Sequence, residues 1–157
     1  MPVIATAGWS IPRTVAHLFP ETGSGLSRYA AVFNGVEINS TFYRRHRMTT
    51  FERWANSVPD DFRFAVKLPR EITHEHRLHA IGQIFKTFVE ELAGLNSKLG
   101  PLLCQLPSTL KFDDNEATAA FEAMREVFPG MLVVEPRHTS WATPPAEEVL
   151  TRYAVDR

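Results

Sequence analysis

Gly35-Val36-Glu37-Ile38-Asn39-Ser40-Thr41-Phe42-Tyr43 opens as a short apolar run with a β-branched bias, then is interrupted by a carboxylate and an amide two residues apart. Such a run reads as a buried strand. Side chains alternate across a strand, so Glu37 and Asn39 are expected on one face. An unpaired carboxylate inside a core costs several kcal/mol or changes its pKa, so Glu37 needs a partner or a task. The same pattern returns in Phe64-Ala65-Val66-Lys67, in Leu102-Leu103-Cys104-Gln105, and in Leu132-Val133-Val134-Glu135 ahead of Arg137 and His138. Strands that are apolar along their length and polar at their C-terminal ends predict a parallel barrel or sheet, with a polar site where the strands finish.

Working outward, strand and helix patterns alternate about five times. Val3 to Ala7 reads as a first strand, ended by Gly8-Trp9-Ser10, and a long loop with Pro12 and Pro20 follows. A helix over Leu26 to Phe33 takes Ser24 as its cap. Thr49 or Thr50 is expected to cap a helix over Phe51 to Ser57. Strand Arg63 to Lys67 leads into a loop, Leu68 to His79, rich in Pro, His and charge. A helix over Ile81 to Leu95, strand Leu102 to Leu106, a helix from Asp113 or Asp114 to about Phe128, and strand Met131 to Glu135 come next. Thr143 and Pro144 open a last helix. A further strand would begin at Ala154-Val155-Asp156-Arg157. Alternation of this kind predicts right-handed crossovers around a parallel sheet. The expected fold is a parallel α/β barrel of TIM type, incomplete, holding about the first five βα units as one partial domain over residues 1–157. Left open, such a barrel would expose the strand at Val3–Ala7 and the strand at Met131–Glu135 as unpaired edges, and self-association or pairing with a missing C-terminal half is expected.

The chain has 157 residues, enough for a real core, with 44% hydrophobic and 22% charged residues. No apolar run approaches ~18 residues and no basic-then-apolar leader is seen, so a membrane span and a signal peptide are not expected. The single cysteine, Cys104, reads as a small core residue and suits a reducing cytoplasm. A formal net charge of -1 gives no global field to recruit nucleic acid. Locally, Asn39 to His79 carries eight Arg or Lys against five acids, plus four of the six histidines. Arg44-Arg45-His46-Arg47 follows one strand, and Lys67, Arg70, His74, His76 and Arg77 follow the next. This is either solvated loop charge or a basic rim for an anion.

Side by side, the strand ends would gather Glu37, Asn39, Lys67, Gln105, Glu135 and Arg137. Arg137 and Lys67 would hold an anionic or sugar-phosphate-like ligand, Glu37 or Glu135 would act as general base, and His138 would shuttle protons. Arg70, His74 and Gln105 join the substrate-binding set. Against this stands a plain ion-paired layer, Lys67 with Glu37 and Arg137 with Glu135. Trp9, Phe42, Tyr43 and Trp141 follow strands closely, as a hydrophobic collar or as a stacking wall for a sugar or base. No cofactor is identified. A divalent metal on Glu37, Glu135, His138 and His74 stays open, without any short-range ligand pair to support it. No nucleophile elbow and no glycine-rich phosphate loop is present.

Gly8-Trp9-Ser10, the block from Phe33 to Arg44, Phe62-Arg63-Phe64-Ala65-Val66-Lys67, Pro69 to His74, Leu99 to Leu103, Gln105-Leu106-Pro107 and Glu135-Pro136-Arg137-His138-Thr139-Ser140-Trp141 together resemble the domain of unknown function 72 family, also called YecE-like. The resemblance runs from the first strand to the last helix. It implies a (β/α)8 barrel with no established reaction, of which this chain would hold the first five units and end before strands six to eight. Ile11 stands where the family usually has Tyr. Three functions follow as expectations: a hydrolase or isomerase on a phosphorylated or sugar-like substrate, a non-catalytic module binding nucleic acid or a sugar, or an inactive truncated fragment.

Overall fold

The computed structural model describes residues 2–157. Five parallel strands pair in chain order: β1 (Gly35–Ile38), β2 (Arg63–Lys67), β3 (Leu99–Gln105), β4 (Leu132–Glu135) and β5 (Val155–Asp156). Helices α1 (Gly25–Ala30), α2 (Met48–Asn56), α3 (Gly82–Leu92), α4 (Asp114–Val127) and α5 (Pro144–Arg152) alternate with them. Each crossover is a βα unit, the only economical way to join parallel neighbours.

Strand alternation sorts the sheet into two faces. Val36, Ile38, Phe64, Val66, Leu102, Cys104, Leu132 and Val134 are fully buried and form one core with Phe51, Phe85, Phe88 and Phe121 from the helices. The opposite face carries Glu37, Ala65, Lys67, Leu103, Gln105, Val133 and Glu135, all half-buried. The polar members of this second face stand at its C-terminal rim.

The N-terminal segment departs from the sequence reading. Val3 to Ala7 does not form a strand; it runs beside β1 with a single isolated bridge, Ala7 to Glu37, in which Glu37 N donates to Thr6 O at 3.0 Å and Gly8 N to Glu37 O at 2.9 Å. Val3 and Ile4 are 52% and 62% exposed, so burial gives this stretch little reason to take up a regular ladder. Asn34 pins it instead, accepting from Ile4 N at 2.8 Å and donating to Pro2 O at 3.0 Å. At the other side, Leu132–Glu135 is not an edge: β5 pairs with it through Leu132–Val155 and Val133–Asp156.

Helix starts show where local chemistry won. Ser24 caps α1 by accepting from Ser27 N, and Asp113 caps α4 by accepting from Glu116 N. Helix α2 begins at Met48, three residues before the predicted start, so Thr49 and Thr50 lie inside its first turn and the cap position falls to Arg47, which makes no side-chain cap bond. The polar loop after β2 is not structureless; Glu71–Glu75 forms one π-helical turn, a geometry that recurs at functional sites. Ile11 packs, partly buried, against the core.

Candidate functional site

Register brings the polar strand ends together. Glu37 pairs with Ala65, Lys67 with Leu103, and Gln105 with Glu135, so all four side chains project from one face, with Lys67 diagonal to Glu37 across neighbouring strands. Thr41 fastens the rim: its buried hydroxyl lies 2.9 Å from Ile38 O and 2.6 Å from Lys67 O, tying the end of β1 to the end of β2.

The two carboxylates sit in different electrostatic surroundings. Burial pushes Glu37 above the ordinary value of 4.5; the Lys67 charge opposes that rise and the Glu135 charge adds to it. Glu37 makes no ion pair, and its carboxylate accepts no side-chain hydrogen bond among the described residues. Glu135 is raised by burial too, but hydrogen bonds from Gln105 and Arg137 and the charges of Arg137 and Lys67 outweigh this and leave it lowered. Gln105 Nε2 donates to both Glu135 oxygens at 3.1 Å, and Arg137 Nε and Nη2 reach Glu135 Oε1 at 3.1 and 3.0 Å. Of the two ion pairs weighed from sequence, Arg137–Glu135 is therefore formed and Lys67–Glu37 is not.

Lys67 turns to an aromatic ring. Its ammonium lies 4.6 Å from the centroid of Phe42. His74, from the π-helical turn, stands edge-to-face with the same ring at 4.9 Å and bonds Thr73 Oγ1 at 2.8 Å. Burial and the charges of Arg70, Lys67, Arg137 and Arg77 lower the His74 pKa, which favours its neutral imidazole.

The remaining candidates lie elsewhere or have other work. Arg70 pairs with Glu75 at 3.1 Å. Arg45 is held by Glu91 at 2.9 Å and lies 3.9 Å from Glu71, which takes it out of a free basic patch. Tyr43 is 72% exposed and contacts Phe42 edge-on. Trp9 packs on Trp54 at 5.1 Å. Trp141 is 2% exposed, packs in the core and also lines the cleft beside the rim, and its indole N–H donates to Leu110 O at 3.0 Å. His138 caps the turn Thr139–Ala142: its Nδ1 accepts from Ser140 N at 3.1 Å, which leaves the proton of the neutral ring on Nε2. Asn39 takes a helical backbone conformation just past β1, so strand alternation no longer governs it, and its Oδ1 is buried without a hydrogen-bond partner among the described residues.

A cleft of about 480 Å³ adjoins the rim, lined among others by Leu103, Val133, Glu135, His138, Trp141 and Arg157. Among the described residues, no group of three or more His, Cys, Asp or Glu is gathered to hold a metal, so His74 and His138 do not join Glu37 and Glu135 in a ligand set. Nor is any described helix long and apolar enough to cross a membrane.

Comparison with known proteins matches this arrangement to one family. The model for "Protein of unknown function DUF72" matches residues 3–157. The chain belongs to the DUF72 family. The UPF0759 protein YecE of Escherichia coli is 32% identical over 127 residues, covering 80% of this chain and 46% of that protein. A DUF72 family crystal structure from Thermotoga maritima superposes with a TM-score of 0.78 at 28% identity, covering 98% of this chain and 62% of that one. Another, from Enterococcus faecalis, gives 0.80 at 22% identity, covering 99% and 59%. The chain thus spans about half the length of the curated relative it matches. Its five parallel strands and covering helices are the α/β, TIM-barrel-like fold of DUF72 proteins.

Phe42, which the sequence places in a collar or a stacking wall, instead meets the Lys67 ammonium at the rim. The available signal was positional: an aromatic just past one strand, beside a neighbouring strand that ends in lysine.

Proposed function

We propose that this DUF72 chain carries part of an enzyme site for acid–base chemistry on a phosphorylated or sugar-like substrate, a hydrolase or an isomerase. One observation carries the reading: two carboxylates at the C-terminal ends of β1 and β4, on one face of the sheet, are pushed in opposite directions, around a lysine that has no carboxylate partner among the described residues. Paired groups whose environments drive their pKa values apart are the usual signature of an acid and a base with separate roles.

Glu37, raised by burial, exchanges the proton with substrate. Glu135 stays ionised and fixes the Arg137 guanidinium at the rim. Lys67 and the outer edge of Arg137 take the anionic part of the substrate. His74, neutral, lends polarity without competing for the anion.

The test measures inorganic phosphate binding by isothermal titration, then turnover of a panel of pentose and hexose phosphates followed by NMR. Lys67→Met is expected to abolish binding. Glu37→Gln keeps binding and loses turnover by roughly a hundredfold or more. A wild-type chain that binds no phosphate and converts none of the panel would sink the proposal, as would a Lys67→Met variant that binds as well as wild type.

A further inference from the structure

Phe42 is the unexplained member of the rim. Its ring carries the Lys67 ammonium at 4.6 Å and meets Tyr43 and His74 edge-to-face, each at 4.9 Å with planes near perpendicular at 84° and 86°. Three contacts on one half-buried ring fix its plane, and a fixed plane fixes where a cation can rest on its face. Lys67 has a strong competing attraction. It lies diagonal to Glu37 on the same sheet face, and both carboxylates of the rim feel its charge. A flexible four-carbon stem normally lets such a lysine close onto a carboxylate. Here no carboxylate oxygen of Glu37 or Glu135 comes within ion-pair distance of it, whereas Arg137 does pair with Glu135.

We propose that Phe42 is a positioning residue: its ring face holds the Lys67 ammonium off Glu37 and keeps it free for the anionic group of a ligand. The inference rests on the reading of the rim as an anion site, and it adds the residue that keeps that site from collapsing into an internal ion pair. The device has two consequences. Glu37 keeps its unpaired, desolvated carboxyl, and Lys67 meets an incoming anion without first breaking a salt bridge. Thr41, the residue before Phe42, anchors the arrangement through its bond to Lys67 O, so ring and lysine are set by the same turn.

The experiment uses the full chain and two readouts. The first needs no ligand: the ε-CH2 protons of Lys67 are expected upfield in the wild type from the ring current of Phe42, still upfield in Phe42→Tyr, and at ordinary positions in Phe42→Leu. The second is inorganic phosphate affinity, expected to weaken about two- to fivefold in Phe42→Leu, the scale of one partly exposed cation–π contact, and to be restored in Phe42→Tyr. Ordinary Lys67 shifts in the wild type overturn the inference whatever phosphate does, and this arm depends on no variant folding. A folded Phe42→Leu chain that binds phosphate as tightly as wild type overturns it as well. Upfield Lys67 shifts in a wild type that binds no phosphate support the positioning role and refute the anion-site reading instead, so the two failures are told apart.

Discussion

Arg125 offers the sharpest test of how the strands that carry the site are held. From α4 its Nε donates to Tyr153 O at 2.7 Å, its Nη1 to Phe128 O at 3.2 Å and Gly130 O at 2.5 Å, and its Nη2 to Ala154 O at 2.6 Å. These carbonyls belong to the turns leading into β4 and β5, at the end of the strands opposite Glu135. Ala154 holds a left-handed φ of 50°, which costs a residue with a Cβ roughly 1 kcal/mol or more unless its surroundings enforce it. Arg125→Met keeps much of the stem and removes every donor. Three of the four bonds are part-buried and the last is exposed. Counting about 1 kcal/mol for each part-buried bond, and nothing for the exposed one, the variant loses about 3 kcal/mol. For a chain of this size that is a fall in Tm of about 6–12 °C, read by thermal denaturation followed by circular dichroism. Because the damage lies at the far end of the strands, phosphate affinity measured well below Tm is expected to be unchanged. A Tm within about 2 °C of wild type would refute the staple. An intact Tm with altered phosphate affinity would refute the separation between the two ends.

Four further outcomes follow from the same geometry. Glu37→Gln is expected to stabilise the protein at neutral pH: a raised pKa means that ionising Glu37 costs folding energy, a cost fully present above its folded value and gone below the ordinary 4.5, so urea midpoints of variant and wild type converge as pH falls. Glu135→Gln has the opposite sign, because a lowered carboxylate contributes stability above the ordinary 4.5 and loses it as pH falls through the lowered value; a stabilising effect at pH 7 would contradict this. Gly94→Ala places a Cβ 2.4 Å from Met48 O and 2.9 Å from Glu52 N, both backbone atoms of α2, and is expected to cost about 2–3 kcal/mol in denaturant unfolding. Thr41→Val, nearly isosteric, removes the bond from Thr41 to Ile38 O and Lys67 O, costs about 1 kcal/mol, and is expected to weaken phosphate binding, since it frees the β1 and β2 ends from each other.

How much of this was legible in the sequence depends on how local each cause is. Glu37, Lys67, Gln105 and Glu135 could be read because each interrupts an apolar run at one position, and because strand alternation then sends all of them to one face. The caps Ser24 and Asp113 are equally local, each bonding a backbone N–H three residues on. Val3 to Ala7 looks like a strand by composition, yet becoming one requires burial that this stretch does not receive, and burial is a property of the assembled sheet. At Val155–Asp156 the alternation alone marks where a further strand begins; what completes it is pairing with β4. Trp141 and Phe42 mark the limit most clearly, since both are aromatics just past a strand end. Trp141 goes into the core because Leu110 O is there to accept its indole N–H, and Phe42 stays at the rim because Thr41 pins its turn to β2. Thr41 is adjacent to Phe42, but its acceptor, Lys67 O, lies on the next strand, so the neighbouring residues alone do not distinguish these fates. The distinguishing partner, Lys67, is on the next strand, and only the pairing of Glu37 with Ala65 puts its ammonium over that ring.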